Sequence, residues 1–173
     1  MNSVIAVNSI RFIVLILAQV LILKRIAFHF GEFAFIHFII YPLALILLPL
    51  NIPRPLVMAI GFVCGMTIDL FYDSPGIHAS ACVFTGFVRK YVLDLLEPYE
   101  GYSATLSPTP ANTGVGWFLT YASILIGLHL LFYFSVEAFS FVFFFEIVLN
   151  TIFSLLSSVA LAMLVMLIFN PKY

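Results

Sequence analysis

The chain is built from long apolar runs with few polar interruptions, and within the runs apolar and polar residues do not alternate in steps of two. Continuous runs predict helices, because a membrane barrel strand would alternate lipid-facing with lumen-facing residues. About 20 largely apolar residues cross the roughly 30 Å of a bilayer's hydrocarbon. Six segments approach that size, at 4–23, 33–50, 55–72, 77–93, 115–134 and 147–169. The last two are long enough to span unaided. Arg89 and Lys90 shorten the uncharged part of the fourth and are expected to snorkel to the interface. Lys24 and Arg25 follow the first, with no small-x-small cleavage site, so it reads as an uncleaved helix rather than a signal peptide. The expected fold is an all-α, polytopic membrane bundle of about six transmembrane helices in one domain.

Composition places the same chain among membrane proteins. Of its 173 residues, 64% are hydrophobic and 9% charged, with a mean hydropathy of +1.18. A soluble domain carries about 25% charged residues, so this chain could not keep its surface wet and takes lipid as its solvent. A net charge of −1 and no run of more than two basic residues exclude a nucleic-acid footprint. Cys64 and Cys82 both sit in apolar runs and have neither disulfide-framework nor zinc-ligand spacing.

The few charges orient the bundle. With six spans, Arg11, Arg54, Arg89, Lys90 and Lys172 collect on one side, and Lys24 and Arg25 on the other. Positive charge resists translocation, so both termini are expected in the cytoplasm. Asp69, Asp73 and Glu137 then fall outside. The polar stretch at 94–114, rich in Pro, Gly, Ser and Thr, is expected to be a cytoplasmic loop too short to bury a core of its own.

Helices in lipid associate through small and polar residues on their facing sides. Gly61, Gly65, Asp69 and Asp73 recur every four residues in the third segment, and His78, Cys82, Gly86 and Lys90 do so in the fourth. The turn between them is short, around Ser74, Pro75 and Gly76, so the two predict a tight helix hairpin. Glu146, Asn150, Ser154, Ser158 and Ala162 mark a similar face on the last segment. Packing alone accounts for such stripes, and a functional reading rests on Asp69, because an ionisable group in a span costs about 2.5–3.5 kcal/mol on insertion scales. Asp69 is expected within a turn of the outer helix end, in reach of water, with His78 as the nearest hydrogen-bond partner.

Chemistry is thinly furnished. The four histidines share no metal-ligand spacing, no Gly-x-Ser-x-Gly elbow surrounds a serine, and neither cysteine has a basic neighbour. No catalytic, metal or cofactor residue is expected. Trp117, Tyr121 and Tyr133 fit an interfacial aromatic belt, and the Phe-rich run at 139–146 fits a lipid-facing anchor or a partner surface.

The stretch from Tyr41 through Pro49, Asn51, Pro53 and Arg54, followed by GFVCGMTIDLFYDSPGIHASACVFTGFVR from Gly61 to Arg89, resembles the rod shape-determining protein MreD family. The resemblance lies in a Pro-flanked turn, a glycine-spaced helix ending in Asp and Phe, the Gly-x-His turn at Gly76 and His78, and a small-residue helix ending in Arg. Glu97, Pro98, Glu100, Gly101 and Tyr102, then Trp117, Phe118, Thr120 and Tyr121, extend it toward a shorter Bacteroidetes-like form. It covers the middle half of the chain by motif, and the first and last helices only as apolar segments.

The resemblance implies a non-enzymatic scaffold of the cell-elongation machinery. Its partners would be an MreC-like single-span protein, the actin-like MreB filament, RodA and its penicillin-binding transpeptidase, and membrane lipid. Carried over to this sequence, Gly65, Asp69, Asp73, Gly76 and His78 form the family-like hairpin. Pro49, Arg54, Gly61, Gly86, Arg89, Ser154 and Ser158 join them as helix-packing or partner-binding residues. MreD-like proteins are also similar to the substrate-binding subunits of energy-coupling-factor vitamin transporters, which supplies the alternative. A lipid-processing enzyme would need a basic phosphate clamp beside Asp69 and Asp73, and no Lys or Arg is expected near them on that side.

Overall fold

A computed structural model describes residues 2–25, 27–30, 33–99, 101–102 and 107–169, so Glu100 and Lys172 lie outside the described residues. The fold is helical. Long helices run over Asn2–Leu21 (α1), Arg54–Tyr72 (α3), Ile77–Leu95 (α4), Val115–Ala138 (α6) and Phe144–Phe169 (α7). Between α1 and α3 lie a short antiparallel hairpin, Ala27–Phe30 (β1) and Phe33–His37 (β2), and one helical turn, Leu43–Ile46 (α2). A second single turn, Pro110–Thr113 (α5), leads into α6. Three helices, α3, α6 and α7, are long and apolar enough to cross a membrane. Their outward faces are greasy, as at Phe62, Leu70, Leu156, Leu167 and Ile168.

The ends of α3 name the two ends of the bundle. The α1 residue Gln19 hydrogen-bonds the Tyr72 hydroxyl at 2.9 Å, and Lys24 donates to the Phe71 carbonyl, so the chain leaves α1 at the Tyr72 end. The ammonium of Lys24 also lies 5.1 Å from the centre of the Tyr72 ring. Arg54 reaches the Tyr91 hydroxyl at 3.2 Å, which puts the last turns of α4 at the opposite end. There the Trp117 indole donates to the Leu96 carbonyl and the Tyr102 hydroxyl to the Leu93 carbonyl, at 2.9 and 2.8 Å. These bonds satisfy two of the orphan carbonyls that any helix C-terminus leaves. Burial first, then the nearby Glu97 carboxylate, push the Tyr102 phenol up to about 12, which keeps its proton in place.

The segment at 33–50, expected as the second helix, is not one. It pairs as a strand to His37, runs extended to Tyr41, turns once through α2 and reaches Leu48 and Pro49 at the Arg54 end. Pro42 explains the failure, since inside a helix it would lack a donor and clash with the carbonyl four residues back. At the head of a single turn it fits, and its own carbonyl accepts from Leu45 and Ile46 at 3.0 Å. The expected length is thus traversed, but by largely unwound chain. This segment is the middle of the core: Tyr41, Leu43, Leu45, Ile46 and Leu47 are at most 2% exposed.

The hairpin of α3 and α4 forms as expected, and its glycines explain how close it is. A Cβ on Gly65 would stand 2.3 Å from the Ala79 Cα, and one on Gly61 would stand 2.8 Å from the Cys82 carbonyl oxygen. From the other side, a Cβ on Gly86 would meet the Met58 backbone at 3.2 Å. Arg89 departs from expectation. It is 3% exposed and turned inward onto the Leu48 and Pro49 carbonyls, while Lys90 alone faces outward and pairs with Asp94 at 2.9 Å. Two members of the aromatic belt are also interior: Tyr121 is fully buried and bonds the Ile46 carbonyl at 3.2 Å, and Tyr133 is 7% exposed.

Gly65→Leu is expected to force α3 and α4 apart and to cost at least the 1–3 kcal/mol, roughly, of an overpacked core. Thermal unfolding in detergent checks it, with Gly116→Ala as a neutral control because nothing lies within 4 Å of that position. Equal unfolding temperatures for the two variants would refute the close contact.

Candidate functional site

The polar side chains of the bundle gather in two places. The first is the turn between α3 and α4. Asp69 is 4% exposed, so water does not reach it as the sequence suggested. Its Oδ1 accepts from the His78 backbone N–H at 3.0 Å, from His78 Nδ1 at 2.9 Å and from the Ser74 hydroxyl at 3.1 Å. Its Oδ2 accepts from the backbone N–H groups of Gly76 and Ala79 at 3.1 and 3.0 Å. A helix start leaves its first N–H groups without partners and carries a partial positive charge. Asp69 fills both needs for α4 from the helix before it.

Local sequence makes that reach possible. Asp73 ends α3 in the left-handed region at φ 53°, and Gly76 turns the chain into α4 at φ 90°. A Cβ on Gly76 would touch nothing, so glycine serves the backbone conformation there rather than close approach. Asp73 is exposed and leaves the seam that its spacing suggested. His78 is 2% exposed, and its ring lies 4.9–5.6 Å from those of Tyr72, Tyr133 and Tyr41.

The second place is the unwound segment itself. Backbone N–H and C=O groups in an apolar interior need partners, and helices all around supply them. From α7, Ser154 accepts the His37 N–H and Ser158 the Ile39 N–H, each at 3.0 Å. Gln19 of α1 accepts the Ile40 N–H at 2.8 Å through Oε1 and donates Nε2 to the Phe38 carbonyl at 3.1 Å. Tyr121 and Arg89 bind the carbonyls of Ile46, Leu48 and Pro49 at the other end.

One side-chain chain locks the middle. The Thr85 hydroxyl donates to the Ala81 carbonyl at 2.8 Å, so its oxygen accepts from His129 Nδ1 at 2.7 Å. His129 Nε2 shares a hydrogen bond with the Tyr41 hydroxyl, also at 2.7 Å. Both ring nitrogens are therefore used.

Of the residues singled out from sequence, Gly61, Gly65, Asp69, Gly76, His78 and Gly86 come together in the hairpin. Pro49 and Arg89 meet each other, and Ser154 and Ser158 meet the unwound segment. Arg54 stands apart on the surface, its guanidinium 4.5 Å from the Tyr91 ring centre. Gln19, Tyr41, Thr85, Tyr121 and His129 were missed. Their signal was present: a lone Gln, Thr or His in an apolar run is a polar group that lipid cannot satisfy.

Gln19, His37, Tyr72, His78 and Tyr133 surround a cavity of about 50 Å³, room for water-sized occupants. Among the described residues, no three His, Cys, Asp or Glu side chains gather as a metal site. No protein-family model, curated protein or solved structure matches the chain. A functional reading therefore rests on its own residues and geometry.

Gln19→Leu is expected to leave the Ile40 N–H without its acceptor, at about 1–3 kcal/mol for a buried orphan. Denaturant unfolding of the purified variant measures the loss, and an unchanged midpoint would contradict the role of Gln19. Asp69→Asn replaces one acceptor oxygen by an NH2 group. It is expected to speed amide hydrogen exchange at the α4 start, at Gly76, His78 and Ala79, more than in mid-helix; uniform exchange would argue against the cap.

Proposed function

We propose that the chain is a non-enzymatic, multi-pass scaffold subunit of the bacterial cell-elongation complex, acting as MreD-like proteins do beside an MreC-like single-span partner. The observation that carries this reading is that the family-like hairpin spends its polar groups on its own fold. The buried polar groups at the turn, Asp69 and His78, and the half-buried Ser74 are bound to one another or to the α4 backbone, and Asp73 alone of the turn's charged groups faces outward. What the hairpin offers outward is apolar: Met58, Phe62, Met66, Val83, Phe84 and Phe87 line an open groove along it. Helix faces of this kind bind other helices, and no turnover is needed.

The same reading sets the topology. Five long helices and one unwound traverse make six crossings, with both ends of the chain on the cytoplasmic side. Lys24 and Arg25 then lie outside, and Arg54, Arg89 and Lys90 lie inside, in keeping with the bias of basic residues toward the cytoplasm. Cytoplasmic loops would approach the MreB filament, and the bundle would sit beside RodA and its transpeptidase.

The vitamin-transporter alternative needs a ligand pocket at the Tyr72 end. Small-molecule sites occupy about 300–1,000 Å³, and the cavity that Gln19, Tyr72 and His78 line at that end is about 50 Å³. The deciding experiment is affinity purification of the tagged full chain from bacterial membranes. Recovery of a single-span MreC-like protein is expected, and its loss is expected on substitution of Phe62 and Met66 by Ser. Tight binding of a vitamin by the purified chain, with no such partner recovered, would overturn the scaffold reading.

A further inference from the structure

At the Arg54 end, opposite the Asp69 cap, a recess of about 250 Å³ opens among Asn51, Arg54, Arg89, Lys90, Glu97 and Tyr102. Arg89 is its unusual member. The side chain is 3% exposed, and a guanidinium keeps its charge at any ordinary pH. Among the described residues the ion pairs are Asp69 with His78 and Lys90 with Asp94, so no carboxylate neutralises Arg89. Nη2 is held by the Leu48 and Pro49 carbonyls, but Nε has no hydrogen-bond partner. A buried charge is ordinarily paired and hydrogen-bonded, and this one is neither fully.

The recess as a whole favours an anion. It brings together Arg54, Arg89 and Lys90 against Asp94 and Glu97, and Lys90 and Asp94 already satisfy each other. Arg89 at the floor of the recess and Arg54 at its rim, where the Arg54 guanidinium rests on the Tyr91 ring, are therefore set against one exposed carboxylate, Glu97. A phosphate presents several acceptor oxygens to such groups and binds them with charge-assisted hydrogen bonds.

A second feature says where that phosphate comes from. Beside the recess, an apolar groove of about 560 Å³ runs between α1 and α3, lined by Phe12, Ile13, Leu48, Pro49, Ile52 and Ile60. Ile52 lines both, and the two residues whose carbonyls hold Arg89 also line the groove. The polar recess lies at the first turn of α3, a helix apolar and long enough to span. That is the depth at which a lipid headgroup passes into its acyl chains. We propose that recess and groove together hold one anionic phospholipid, with its phosphate at Arg89 and Arg54 and its acyl chain along Ile52 and Ile60. A choline headgroup would bring an ammonium toward the two guanidinium groups and is disfavoured. Lipid held here would suit a scaffold and a transporter subunit alike, so it stands apart from the partner reading.

Native mass spectrometry of the delipidated full chain in non-ionic detergent tests this with three probes: phosphatidylglycerol, phosphatidylcholine of the same acyl chains, and inorganic phosphate. Phosphatidylglycerol is expected to bind with a Kd at least tenfold below that of phosphatidylcholine, and inorganic phosphate at least a hundredfold more weakly. Arg89→Gln also removes a support of the unwound segment, so Arg54→Gln tests the phosphate contact and Ala59→Trp fills the groove from its exposed rim. Each is expected to weaken phosphatidylglycerol binding at least fivefold while keeping the wild-type helical content and a single cooperative unfolding transition. Equal binding of the two lipids would overturn the proposal. So would phosphate binding as tightly as phosphatidylglycerol with no effect of Ala59→Trp, which would mark a site for free anions. Wild-type affinity in both variants would overturn it as well.

Discussion

The bundle is organised around a stretch of backbone that cannot satisfy itself. From His37 to Pro49 the chain runs through the middle of an apolar interior with only one helical turn, so its amides and carbonyls depend on side chains from elsewhere. An unpaired buried peptide group costs about 1–3 kcal/mol, and a run of them would exceed the marginal stability of a domain. The partners come from four helices: Gln19 on α1, Arg89 on α4, Tyr121 on α6, and Ser154 and Ser158 on α7. Helix position follows from this requirement, since each donor or acceptor must arrive at one place along the segment. Non-helical backbone at membrane depth is tolerated only under such cover.

The hairpin of α3 and α4 obeys a second, steric constraint. Gly61, Gly65 and Gly86 remove the side chains that would hold the two backbones apart, and Asp69 then ties the start of α4 to the end of α3. These two devices act at different levels. The glycines permit close approach along the seam, while the carboxylate sets the angle at which the second helix leaves the turn. Together they give a rigid pair, on which an outward apolar face keeps its shape. A surface of fixed shape is what the proposed scaffold role would require.

Elements whose cause is local were legible in the sequence, and those whose cause is distant were not. The membrane character, the five long helices, the tight hairpin and the nearness of His78 to Asp69 all follow from runs, spacings and turn residues close together in the chain. The second segment misled because hydropathy counts carbon and is blind to hydrogen bonding: 33–50 is greasy enough to span, and the serines that accept its amides lie more than a hundred residues away. Pro42 was the local sign. Arg89 misled for a related reason. A basic residue at a helix end normally snorkels, and only the unwound carbonyls of Leu48 and Pro49 give it cause to turn inward. Asp69 looked close to water because its helix ends one turn later, but the chain folds back over it at Gly76.

The serine contacts also bear on how such a chain is made. The Ile39 amide waits for Ser158, 119 residues downstream. At about 5–20 residues per second, synthesis needs roughly 6–24 s to deliver that partner. For that interval the unwound segment exists without the last helix that completes it, and its open amides must be met by other partners, such as water or a transient helical form. The earliest-made half of the core is therefore finished only when the final helix enters the membrane, which makes assembly of this bundle a late, concerted event.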